Sequence, residues 1–190
     1  MKEVFYFLAK RISVVGAIFI LLLGTSSANT GAELNAKVDE ALRIFHSEVS
    51  GAEVFIQQAA GYLVFPRVIK AGFGIGAEIG EGALRVGGQS VGYYRTLSAS
   101  IGLQFGAQAK SIIIAFMTDD ALAEFRASSG WQAGLDASVA LIDSSVLAAG
   151  KQLNTSNLED PVVAFIFGGK GLMYNATIEG TKISKIKKYD

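Results

Sequence analysis

Apolar residues recur at helical spacing between positions 33 and 48, and close to every second residue beyond position 61. In the first stretch Leu34, Val38, Ala41, Leu42 and Phe45 fall on one stripe, which predicts an amphipathic helix over 33–48. The segment 52–60 (AEVFIQQAA) predicts a second, shorter helix, with Gly61 placed to close it in a left-handed conformation. Tyr62 to Phe65 then opens a first strand, which Pro66 is expected to end. Over 71–86 (AGFGIGAEIGEGALRV), Phe73, Ile75, Ala77 and Ile79 share one strand face while Gly72, Gly74, Gly76 and Gly80 occupy the other. Glycine along a strand face weakens the strand, so its use there implies tight bending or the close approach of another backbone.

Gly87-Gly88 predicts a hairpin turn into a strand over 90–97. Further strands are expected at 98–108 and 111–117. The latter (SIIIAFM) is apolar at nearly every position and should be covered on both faces. Thr118 is placed to cap a helix over 119–127, with acidic residues in its first turn and Arg126 in its last, as the helix dipole prefers. Short strands follow around 131–141, 162–167, 172–178 and 182–186, and 151–161 is the most polar interruption. The order is α+β: a glycine-rich, strongly twisted antiparallel sheet that could curl toward a barrel, with two N-terminal helices and one inserted helix.

The first residues alter the picture of the domain. Lys2, Lys10 and Arg11 precede an apolar run from Ile12 to Leu23, with Ser26 and Ala28 as small residues after it. The run is shorter than the ~20 apolar residues of a spanning helix, and the layout predicts a secretory signal over 1–28, cleaved before Asn29, with a retained membrane anchor as the alternative. The remaining 29–190 is expected to be a single domain of an exported protein, in the periplasm or cell envelope. With no cysteine, neither a thiol-linked lipid anchor nor a disulfide is available, so the fold must rest on its core. The processed chain carries 14 basic against 16 acidic side chains, a balance that gives no reason to expect a nucleic-acid partner.

Catalytic motifs fail their context. Gly88-Gln89-Ser90-Val91-Gly92 has the G-x-S-x-G form of serine hydrolases, but a strand is expected after Ser90 where that motif needs a helix. The single histidine, His46, precedes the motif and sits on the first predicted helix. Gly168-Gly169-Lys170-Gly171 lacks the Ser or Thr and the spacing of a phosphate loop. Asp119, Asp120 and Glu124 are explained by a helix N-terminus, and Asp136 and Asp143 are expected to point in opposite directions, so no metal, cofactor or acid pair is assigned. What remains is cationic: Arg67 and Lys70 bracket a β segment, and Lys182, Lys185, Lys187 and Lys188 crowd the C-terminus. Such clusters suit anionic headgroups. The first helix does not, since Lys37 and Arg43 are outnumbered by Glu33, Asp39, Glu40 and Glu48.

Three stretches carry a family resemblance: AGYLVFPRVIKAGFGIGAEIGEGAL (60–84), SASIGLQFGAQAKSIIIAFMTDDALAEF (98–125) and GGKGLMYNATIEGTKI (168–183). With the strands between them the sequence resembles the SYLF family of lipid-binding domains over most of 35–187. The resemblance implies a glycine-rich sheet decorated by helices, no catalytic activity, and affinity for acidic lipids or phosphoinositides. Lys70 and Lys170 match positions where the family pattern has lysine. The acidic first helix departs from the basic start of eukaryotic relatives, and actin association is not expected of an exported protein. The sequence therefore predicts a non-enzymatic lipid-binding protein of the envelope that presents Arg67, Lys70, Lys170 and the C-terminal lysines to anionic membrane lipids. A structural outer-membrane or envelope protein is the alternative, and a hydrolase acting through Ser90 comes third.

Overall fold

The structure, a computed structural model, describes residues 30–49, 51–143, 160–170 and 180–189. The expected signal over 1–28, the strand at 172–178 and nearly all of the polar loop lie outside those residues. Helix α1 spans Gly31–Glu48 and opens with a reciprocal cap, in which Thr30 Oγ1 accepts from the Glu33 amide and the Glu33 carboxylate accepts from the Thr30 amide. Such a cap is worth about 1 kcal/mol. Helix α2 is Ala52–Gln58 and α3 is Asp119–Ala127, the latter capped by Thr118 as its sequence predicts.

Two very long strands dominate: β1, Gly61–Val86, and β2, Gln89–Phe116. They form one antiparallel hairpin closed by Gly87 and Gly88, whose φ values of 57° and 78° suit the turn that matches strand twist. Four short strands complete a six-stranded sheet among the described residues: β3 (Trp131–Gln132), β4 (Ala140–Asp143), β5 (Val162–Lys170) and β6 (Lys182–Ile186). The second edge of β2 is shared, its 109–116 stretch taking β5 and its 93–97 stretch taking β6. The sheet is mixed and not wholly antiparallel, because β4 joins β5 in parallel.

The expected breaks are absent. Pro66 does not end its strand, since it and Arg67 sit in a bulge between Phe65 and Val68 that absorbs the missing N–H. Ser111 Oγ donates to the Pro66 carbonyl at 2.9 Å across that bulge. Gly61 is not a left-handed cap either. It is the first residue of β1, buried where a Cβ would meet the Arg85 carbonyl and Leu122.

The sheet is strongly curled, and two glycines show how. Residues 64 and 82 would lie roughly 60 Å apart on a straight strand. Instead a Cβ on Gly82 would collide with the Val64 carbonyl oxygen, and one on Gly80 would stand 2.8 Å from Val68 Cγ2. β1 doubles back until its two ends cross, and only residues without a Cβ fit at the crossing. The close backbone approach expected from the glycine-rich face is therefore found at Gly80.

At the root of the hairpin both faces are buried, and five consecutive residues, Ile112 to Phe116, are shielded from water. Inside the curl, Phe116, Phe125, Tyr94 and Trp131 pack with ring centroids 4.6–6.3 Å apart. Outside it, α1 and α2 lay Phe45 and Phe55 against Phe165 at 5.0 and 5.1 Å. Polar contacts fix α1 over the hairpin turn: Arg85 donates to Asp39 at 2.6 Å, Ser90 Oγ donates to Asn35, and Asn35 Nδ2 donates to the Tyr93 hydroxyl.

Candidate functional site

Away from the root, the hairpin bends through residues 69–79 of β1 and 97–109 of β2, and there its two faces exchange character. At 69–71, 76–79 and 97–99 burial still alternates, but the residues turned outward are apolar. Ile69, Ile79 and Leu97 are 37%, 46% and 52% exposed, and Ala71, Ala77 and Ala99 are exposed with them. Register makes Ile79 and Leu97 direct cross-strand neighbours, as are Ala77 and Ala99. The shielded side of the same strands is polar. Glu78, almost wholly buried, holds Lys110 at 2.9 Å, and Thr96 is buried beside Gly80.

A second ionic cluster lies nearer the hairpin turn, just beyond the Ile79–Leu97 pair. Glu81 accepts from Arg95 at 3.0 Å and from Lys188 at 2.6 Å. Burial by itself pushes the Glu81 carboxyl up, but the hydrogen bonds and charges of Lys188 and Arg95 together outweigh it and hold the group below its usual range.

The candidate cations divide. Arg67 projects from the bulge of β1 and is exposed, Lys70 is half-buried, and Lys182, Lys185 and Lys187 are exposed; among the described residues none of these five makes an ion pair. Lys188 differs, since its side chain is only 5% exposed and its ammonium is committed to Glu81. Lys170 closes β5 opposite Ala109, and its side chain lies outside the described part of the chain. The crossing brings the β1 and β6 cations into one region. The Arg67 carbonyl touches Gly80, and Gly80, Thr96 and Ile183 are register neighbours, so the two groups are about two strand spacings, ~10 Å, apart in backbone position. Register also sets Lys182 directly across from Leu97.

The residues singled out for catalysis are dispersed. Ser90 lies in β2 and not on a strand-to-helix turn, and its hydroxyl donates to Asn35. His46 is an exposed residue of α1 beside Phe45. Asp119 and Asp120 are exposed in the first turn of α3, and Asp136 accepts from the Gln132 amide in the turn after β3. The outward apolar row is the feature that residue-by-residue reasoning missed. Its signal is Glu78: a carboxylate on the glycine face marks that face as the one that cannot be an ordinary apolar core.

No curated protein matches the chain. Of the three stretches that carry the resemblance, 98–125 and 168–183 fall inside the segment matched by a family model, and 60–84 precedes it. Residues 97–189, a little under half of the chain, match the model of the Ysc84 family, described as Las17-binding protein actin regulator, which is the SYLF-domain family that the sequence resembles.

Proposed function

We propose that the chain is a non-enzymatic lipid-binding protein of the cell envelope, exported by its N-terminal signal and engaging anionic headgroups through basic residues on the β scaffold. The Ysc84/SYLF family is associated with lipid binding and actin regulation. The observation that carries the reading is a set of cations, Arg67 and Lys70 on β1 and Lys182, Lys185 and Lys187 on and after β6, that make no ion pair among the described residues. Each contributes on the order of 1 kcal/mol near an acidic membrane, so several must act together. Lys170 belongs to the same set through its position at the end of β5. Lys188 serves it indirectly, by neutralising Glu81. The non-catalytic reading is supported by Ser90, whose hydroxyl is engaged in docking α1. The alternative of an outer-membrane barrel is disfavoured by α1 and α2, which cover the outer face of the root where hydrocarbon would have to lie.

Vesicle flotation of the processed chain tests this. Binding to vesicles rich in phosphatidylglycerol but not to phosphatidylcholine alone, weakened severalfold in high salt, is expected. Absent or salt-insensitive binding contradicts it.

A further inference from the structure

We infer that the outward face of the hairpin bend is a hydrocarbon-contacting surface, which Ile69, Ile79 and Leu97 seat into the boundary between headgroups and acyl chains of an anionic bilayer. The inference rests on the lipid-binding reading and assigns it a second element besides charge. Its basis is the inverted pattern. A sheet built for water turns apolar residues inward and polar ones outward, as the root of this hairpin does on the inside of the curl. At 69–71 and 77–79 the alternation runs the other way, with Ile69, Ala71, Ala77 and Ile79 outside and the Glu78–Lys110 pair inside. Apolar-out and polar-in is the arrangement of strands whose solvent is lipid.

Depth is limited by charge. On the same outward face the pair that follows Ile79 and Leu97 is Glu81 and Arg95, joined at 3.0 Å, so the apolar strip is short and the bend seats in the hydrated boundary, roughly 5–10 Å deep. Charge selects a bilayer over a second copy. Arg67 stands two residues before Ile69 and Lys182 directly across from Leu97, both exposed and without an ion pair among the described residues. Apposing two such faces would bring like charges together, whereas acidic headgroups bring the opposite charge to the same rim.

Because the chain has no cysteine, a single introduced one reports one position. In the otherwise unaltered full-length chain, Leu97→Cys and Leu135→Cys, the latter 76% exposed in the turn after β3, are each labelled with a polarity-sensitive fluorophore. Each is mixed with vesicles of equal parts phosphatidylglycerol and phosphatidylcholine carrying brominated acyl chains. The label at 97 should shift to the blue and be quenched by bromine, and the label at 135 should not. Leu97→Asp should weaken partitioning about tenfold or more without lowering the melting temperature. A chain that floats with vesicles while the label at 97 stays in water, or while Leu97→Asp floats normally, overturns the insertion and leaves headgroup binding standing. A chain that never floats removes the lipid reading and the insertion with it. A dimer in which the label at 97 is already shielded without vesicles assigns the face to a second copy and also overturns the proposal.

Discussion

The root and the bend of the β1–β2 hairpin are made of the same two strands in continuous antiparallel pairing, yet they bury opposite things. At the root, Leu63, Phe65, Ile112 and Ile114 turn into the curl and Val64 and Ile113 turn out against α1, so both faces are dry. At the bend, Glu78 and Thr96 are turned in while Ile79 and Leu97 are turned out into solvent. Strand pairing fixes only which residues share a face. What each face meets is decided by whatever crosses it, and here that is the far end of β1 at Gly80 and Gly82. The root is built for stability, and the bend is left with an apolar exterior that stability does not require.

Matched truncations should separate the two regions most widely. Leu63→Ala, at a fully buried root position, should cost about 2–5 kcal/mol in urea unfolding, whereas Leu97→Ala should stay within about 0.5 kcal/mol. Equal losses at the two sites would mean that the bend face is covered in the folded chain. Gly82→Ala comes next. Its new methyl would collide with the Val64 carbonyl, and a loss of about 1–3 kcal/mol in the same measurement is expected, while Gly88→Ala, with open space around its Cβ, should cost less than Gly82→Ala. The smallest effect belongs to the ionic row between the bend and the hairpin turn. The folded pKa of Glu81 is lowered, so its stabilising contribution is present above the ordinary glutamate range, about 4.3, and is lost as pH falls through and below it. Melting curves of wild type and Glu81→Gln should therefore differ near neutrality, by under about 1 kcal/mol, and converge in acid.

Much of this was readable along the chain because its signals are local. The stripe of Leu34, Val38, Ala41 and Phe45, the Thr118 cap, the glycine pair at 87–88 and the strand at 182–186 each predict an element that the structure contains. Pro66 and Gly61 misled for one reason: a proline or glycine signals a break only until a partner supplies a bulge or a tight crossing, and the partners here lie far along the chain. The site was half legible. The cations were visible as residues, but that Lys188 is committed to Glu81, 107 positions away, is a fact of the fold. The apolar alternation at 73–79 was visible too, without the crossing that decides which side faces out.

Hydrogen–deuterium exchange of the full-length chain, with and without phosphatidylglycerol vesicles, puts the difference between root and bend to its most direct test. The account predicts added protection across 69–79 and 97–109, with 61–65 and 112–116 unchanged. Protection confined to α1, or spread evenly over the sheet, would contradict it.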